Sequence, residues 1–170
     1  MEERRQHQDR RRSDRYGSFD SELYVAFRCA EYHFVFEKQE VMAITPLPNI
    51  ISLPLSHHWF VGVTSISGYI ACVTDLSAYL NLEPAITKEG AKLILTAHGD
   101  NVFGLVVDSI VGVIECQSCE RSRAIYPIEI ETFTSRQRCN GDQCYDEFDI
   151  RRLYLDPKFQ NAVTLTSHSS

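Results

Sequence analysis

The sequence has no long apolar run. Its apolar stretches, of which 103–107 is an example, end after about five residues, whereas a membrane-spanning helix needs about twenty. We therefore expect no direct insertion into a membrane. A positively charged start followed by an apolar stretch is also missing, so we expect no secretory signal and a cytoplasmic location, where six cysteines would by default stay unpaired.

The motifs of common catalytic sites are missing as well. The chain has no nucleophile elbow of the Gly-x-Ser-x-Gly kind and no glycine-rich phosphate loop. Ser65 and Ser67 have no histidine or aspartate at the spacing of a known catalytic motif. The sequence therefore predicts a protein that is not an enzyme and needs no cofactor.

The net negative charge of the chain lies outside the first twenty residues. Residues 1–20 hold six arginines and five acidic residues, a net charge of +1, whereas the rest of the chain carries −7. The run Arg10-Arg11-Arg12 is compatible with an arm for nucleic acid or anionic lipid, but the interspersed acids favour a solvated tail. Because the body is acidic, we expect no nucleic-acid partner.

The sequence contains many short segments rich in Val, Ile, Tyr and Phe that are separated by turn residues. They predict strands over 23–28, 32–37, 41–44, 60–64, 69–74, 93–97, 102–107, 110–115, 132–138 and 145–149. Asp75 is placed to cap a short helix over 76–80, and a C-terminal helix is expected over 150–162. The pattern favours a mainly β fold.

The strand pattern occurs twice. Residues 41–44 align with 111–114 at an offset of 70, and 75–79 align with 149–153 at an offset of 74. One copy of about 70 residues would have a marginal core, so we expect both copies to pack as one body. The predicted organisation is a disordered arginine-rich arm over 1–21, a domain over 22–165 with halves at 22–85 and 90–165, and a flexible tail over 166–170.

Several motifs resemble those of CheW-like adaptor domains. Residues 62–70 (GVTSISGYI) resemble the central signature of that family, 103–110 (FGLVVDSI) its second signature, and Val41 stands where the family has a strand valine. The stretches 59–62 and 148–159 resemble the members that act in type IV pilus twitching motility. The resemblance covers about residues 22–165.

The resemblance implies two SH3-like, five-stranded β-barrels that share a core, with short helices. It also implies a non-enzymatic scaffold in a chemosensory pathway, recruited to receptor arrays under the membrane. Its partners would be the CheW-like regulatory domain of a CheA-type histidine kinase and the cytoplasmic tip of a methyl-accepting chemoreceptor. Partner contacts would then involve the hairpin and the groove between the barrels, with these residues: Val41, Gly62, Ser65, Ser67, Gly68, Asp75 and Asp108.

The chain departs from the family at the central hairpin. Ser67 stands where the family has arginine, and Ser65 where it has asparagine. Serine cannot make the long-reach, bidentate bonds of arginine, so the role of the arginine is not transferred to Ser67. For Asp75 and Asp108, which follow apolar strands, a turn or capping role is preferred over partner contact. For Gly62 and Gly68 a backbone role is preferred in the same way.

The cysteines support a different hypothesis, a small metal-stabilised or redox-sensing β domain. Cys116 and Cys119 form one close pair, and Cys139 and Cys144 flank a predicted turn. Two such pairs are what a tetrahedral zinc–thiolate site needs. Burial of Cys116 as a small apolar residue is the alternative.

Overall fold

The computed structural model describes residues 22–120 and 125–167, with side chains as far as residue 162. The predicted arm therefore lies outside the described residues. The strands are β1 (Glu22–Cys29), β2 (Tyr32–Glu37), β3 (Ala43–Pro46), β4 (Phe60–Ile66), β5 (Tyr69–Asp75), β6 (Lys92–His98), β7 (Asn101–Val107), β8 (Ser109–Cys119), β9 (Thr134–Asn140) and β10 (Gln143–Phe148). The helices are α1 (Leu76–Tyr79), α2 (Ile128–Phe133), α3 (Ile150–Leu155) and α4 (Pro157–Ser167).

The strands form two five-stranded units, so the predicted mainly β fold is confirmed. One unit is a closed barrel with the order β1-β2-β10-β9-β8, and the other is a sheet with the order β3-β6-β7-β5-β4. In each unit a hairpin is joined to a second hairpin through one parallel pairing, β2 with β10 and β5 with β7. The predicted repeat is therefore visible in the strand order.

The strands are shared between the units in a way that the sequence did not indicate. The first hairpin of each copy joins the last three strands of the other copy, so β1 and β2 pair within the barrel while β6 and β7 pair within the sheet. The division into folded halves at 22–85 and 90–165 is thus corrected. Two similar copies offer similar apolar faces, and the sequence pattern does not distinguish pairing within a copy from pairing between copies.

Two predicted elements at the C-terminal side have different bounds. The single helix expected over 150–162 is divided at Pro157, whose ring and missing N–H prevent continuation of α3. Asp156 ends α3, and its carboxylate accepts a hydrogen bond from the Lys158 N–H at 2.9 Å, in the first turn of α4. α4 then continues through Ser167, two residues into the predicted flexible tail.

Three apolar clusters hold the fold together. One fills the barrel, a second lies on one face of the sheet, and the largest lies between the two units. Trp59 is fully buried in this shared core, where its ring centroid is 4.8 Å from that of Tyr79. Trp59 is therefore a core residue. No helix in the described part of the chain is long and apolar enough to cross a membrane.

Candidate functional site

The hairpin between β4 and β5 brings together three of the predicted contact residues. Its turn consists of Ser67 and Gly68, whose φ angles are 51° and 81°. Positive φ at both positions is the requirement of a type I′ turn, which matches the twist of the flanking strands. Both residues are exposed, and so is Ser65, which lies opposite Ile70.

Apolar side chains are exposed beside this turn. Tyr69 is 47% exposed and Ile70 is 77% exposed, although both belong to a strand whose later residues are buried. Together with Ser65, Ser67 and Gly68 they form what we call the hairpin surface. It is a small apolar surface with no charged side chain, at the position where the family has an arginine.

Gly62 lies on β4 but does not belong to this surface. It is buried, its φ is 146°, and a Cβ added to it would lie 2.0 Å from the carbonyl oxygen of Ile51. Absence of a side chain at Gly62 allows Ile51 to pair with Val63 along the edge of the sheet. Gly62 therefore has the backbone role that the sequence indicated, and a partner contact at this residue stays a prediction.

Asp75 is also a structural residue. It is 1% exposed, and its two carboxylate oxygens accept hydrogen bonds from the Ala78 N–H at 3.0 Å and the Ile86 N–H at 2.8 Å. The first of these bonds caps α1, as the sequence predicted. Both oxygens are occupied within the fold, in agreement with the capping role, and a partner contact at Asp75 stays a prediction.

Asp108 connects three separate segments. Its carboxylate accepts hydrogen bonds from the Ala30 N–H and the Ser77 hydroxyl, each at 2.9 Å, and forms an ion pair with Lys88 at 2.5 Å. The hydrogen bond to Asp108 raises the pKa of Lys88. With its side chain 14% exposed, Asp108 stabilises the junction of the two units, and a partner contact at Asp108 stays a prediction.

A groove lies where the sheet meets α3. Its rim includes Glu40, Met42, His98 and Arg151, and we call these four residues the groove surface. Glu40 and Arg151 face each other across it at 3.9 Å, and burial raises the pKa of Glu40. Met42 is 45% exposed, whereas Val41, the residue that the sequence selected, is half-buried and packs against the shared core.

The predicted cluster of four cysteines is only partly formed. Cys119, Cys139 and Cys144 have their sulfur atoms within 4.8 Å of one another, but Cys116 is buried inside the barrel. Residues three apart on a strand point to opposite faces, so Cys116 and Cys119 cannot serve one site while both lie on β8. The four-cysteine zinc site is therefore corrected to a cluster of three.

Two of these three cysteines are paired. Cys119 and Cys139 form a disulfide, with their Cα atoms 5.9 Å apart. The default expectation of unpaired cysteines is thus wrong for this pair, because the β8–β9 pairing brings the two residues within the usual disulfide range. Cys29, by contrast, is an unpaired core residue, and burial raises the pKa of its thiol to about 12.

The fold is mainly β and carries two exposed surfaces, and comparisons with known proteins identify its family. Residues 23–130, well over half of the chain, match the family model described as the CheW-like domain. The chain therefore belongs to the CheW-like family, and the resemblance noted in the sequence is confirmed.

Two relatives illustrate the relationship. The chain is 26% identical over 105 residues to protein PilI of Pseudomonas aeruginosa, an alignment that covers 62% of this chain and 59% of PilI. The chain thus matches about three fifths of the length of that relative. The crystal structure of the scaffolding protein TtCheW from Thermoanaerobacter tengcongensis superposes with a TM-score of 0.66 at 20% identity, over 75% of this chain and 88% of that chain. This likeness supports the fold.

Sequence reasoning missed the exposed apolar residues that accompany the predicted positions. Ile70 belongs to the continuous apolar run 69–73, which has no polar alternation to show which end leaves the core. Met42 is next to the selected Val41, and a shift of one residue in a strand exchanges the exposed and buried faces. The signal available in the sequence was the alternation of faces over 41–44, which places Val41 and Met42 on opposite sides.

Proposed function

We propose that this protein is a non-enzymatic adaptor that couples methyl-accepting chemoreceptors to a CheA-type histidine kinase. Membership of the CheW-like family and the similarity to PilI support this proposal, and the latter favours a pathway that controls type IV pilus twitching motility. In this role the protein would act on the cytoplasmic side of the membrane, within receptor arrays. Its partners would be the regulatory domain of the kinase and the receptor tip.

The observation that carries the proposal is the position of the two exposed surfaces. The hairpin surface belongs to β4 and β5, and the groove surface includes Met42, just before β3. Strands β3 and β4 are the opposite edges of the five-stranded sheet. Neighbouring strands are about 4.8 Å apart, so the two edges are separated by on the order of 20 Å along the sheet. The two surfaces thus lie at opposite edges of one sheet, an arrangement that suits contact with two different partners.

The two surfaces differ in chemistry, which suits different partners. The hairpin surface offers Tyr69 and Ile70 with small neighbours that leave the backbone accessible. The groove surface combines the flexible apolar side chain of Met42 with the charges of Glu40 and Arg151. Apolar anchors with a polar rim are the usual composition of a protein–protein interface.

The decisive experiment measures binding after one charge is placed on the hairpin surface. We expect Ile70→Glu to weaken the affinity for one of the two partners at least tenfold, because a carboxylate would be buried at the contact. Titration calorimetry with a CheA-type regulatory domain and with a receptor signalling fragment measures both affinities. The affinity for the other partner should stay unchanged, since that partner would bind at the other edge of the sheet.

Ile128→Glu is the matched control. Ile128 is 68% exposed, close to the 77% of Ile70, and it is the first residue of α2, a helix that contributes no residue to either surface. The control should bind both partners with wild-type affinity. Wild-type protein that binds neither partner would overturn the adaptor proposal, and equal affinities for the Ile70→Glu and wild-type proteins would overturn the assignment of the hairpin surface.

A further inference from the structure

Three cysteines on the outside of the barrel meet at one place. Cys119 ends β8, Cys139 lies near the end of β9, and Cys144 lies near the start of β10. Cys139 pairs with Gln117 of β8 on one side and directly with Cys144 on the other. Side chains of opposed residues share a face, as do side chains two apart on a strand, so all three sulfur atoms lie on the same face of the barrel.

The central cysteine has two sulfur neighbours. Its disulfide partner is Cys119, and the Sγ atom of Cys144 lies 2.9 Å from its own Sγ atom. Cys144 is an exposed free thiol, so solvent and small reagents can reach it. A free thiol beside a disulfide sulfur is the arrangement from which thiol–disulfide exchange proceeds.

We propose that Cys119, Cys139 and Cys144 form a disulfide-exchange site in which Cys139 pairs alternately with Cys119 and with Cys144. The Cys144 thiol loses its proton and attacks the sulfur of Cys139. A bond forms between Cys144 and Cys139 while the bond between Cys139 and Cys119 breaks. Cys119 leaves as a thiolate and takes up a proton, so the number of disulfides is unchanged and no external oxidant or reductant is consumed.

The two disulfides constrain different parts of the barrel. The Cys119–Cys139 bond spans 20 residues and holds β8 against β9, which pair through only three residue pairs. A Cys139–Cys144 bond would span five residues within the β9–β10 hairpin, which already pairs through six. Exchange therefore moves the disulfide from the short β8–β9 pairing to the longer β9–β10 pairing. It removes the covalent link next to α2, which contributes Ile130 and Phe133 to the shared core.

Disulfide mapping of the wild-type protein tests the proposal. The reduced chain is oxidised with oxidised glutathione, free thiols are blocked with N-ethylmaleimide, and the protein is digested with trypsin. Cleavage after Lys92, Arg121, Arg138 and Arg151 places Cys119 in peptide 93–121 and both Cys139 and Cys144 in peptide 139–151. The Cys119–Cys139 form therefore gives two cross-linked peptides, and the Cys139–Cys144 form gives one internally bridged peptide. We expect both products, each at roughly 5% or more of the total, as for two states of similar free energy.

Two variants test which cysteines form each of the two products. Cys144→Ser should give only the cross-linked pair, and Cys119→Ser should give only the internally bridged peptide, with far-UV circular dichroism showing that both variants are folded. The proposal is overturned if the wild-type protein yields the cross-linked pair alone, or if Cys119→Ser forms no internal disulfide. It is also overturned if fragmentation of the cross-linked pair by tandem mass spectrometry places the N-ethylmaleimide group mainly on Cys139, which would mean a Cys119–Cys144 disulfide. The wild-type result stands on its own if a variant fails to fold.

Discussion

Asp75 and Asp149 occupy equivalent positions in the two copies of the repeat, and each caps the helix that follows. They differ in burial, because Asp75 is 1% exposed whereas Asp149 is half-buried. Asp149 accepts hydrogen bonds from the Arg151 and Arg152 N–H groups at 3.1 and 3.3 Å, both within the first turn of α3. Asp75 additionally binds the Ile86 N–H, which belongs to a separate loop.

This difference predicts unequal losses of stability. Asp149→Ala removes a half-buried cap and should lower the free energy of unfolding by about 1 kcal/mol. Asp75→Ala removes a cap and also leaves the Ile86 N–H without its partner, so we expect a loss of about 2–4 kcal/mol. Urea unfolding followed by the fluorescence of Trp59 measures both values. Equal losses would show that the bond to Ile86 contributes nothing.

At the residue scale, the sequence predicted local roles such as helix capping. It did not predict which distant residues would be in contact. The capping role of Asp75 follows from its place between an apolar strand and a helix. The contacts of Asp108 with Ala30 and Ser77 join positions 78 and 31 residues apart, and no local pattern encodes such separations. The exclusion of Cys116 from the cysteine cluster was available, because strand alternation alone separates it from Cys119.

The edge strand β4 depends on a close backbone approach. A Cβ at Gly62 would overlap the carbonyl of Ile51, whereas a Cβ at Gly112, whose φ of 152° is similar, meets nothing within 4 Å. We expect Gly112→Ala to cost about 1–3 kcal/mol from backbone strain alone. Gly62→Ala should cost a further ~1–3 kcal/mol, because the overlap must push the Ile51 segment away from the edge.

Hydrogen exchange separates the two effects. In Gly62→Ala the amides of Ile51 and Val63, which bind each other's carbonyl oxygens at 2.8 and 2.9 Å, should lose protection against exchange. In Gly112→Ala they should keep it. If both amides stay protected in Gly62→Ala, the glycine is required for its φ angle and not for the close approach.

At the scale of elements, strands were easier to predict than their pairing. The hairpins at the Ser67-Gly68 and Gly141-Asp142 turns follow from turn residues between apolar runs. Helix α2 was missed, and the strand expected over 132–138 begins only at Thr134, because the short segment 128–133 has no full helical period to reveal it. The exchange of first hairpins between the copies depends on contacts between distant segments.

The whole molecule is held together by one apolar core that the two units share. Phe27 and Phe36 of the barrel, with ring centroids 4.5 Å apart, belong to the same buried cluster as Phe103 of the sheet and Phe159 of α4. Phe103 and Phe159 are themselves 5.4 Å apart. Separation of the units would expose this cluster to water, at a cost of roughly 25 cal/mol for each Å² of apolar surface. The two units are thus coupled both by packing and by the exchanged hairpins.

This coupling predicts one cooperative unfolding transition. In urea, the fluorescence of Trp59, the only tryptophan, should change together with the far-UV circular dichroism of the strands in both units. Fragments 22–85 and 90–165 should each remain unfolded, because each supplies only part of the barrel and part of the sheet. Fragments 22–89 and 90–165, which together keep Ile86 and Lys88, should recover the spectrum of the intact protein when mixed in equal amounts, since the cut then falls in the connection between α1 and β6. A cooperative melt of either fragment alone would contradict the exchanged arrangement and would restore the division into two independent halves.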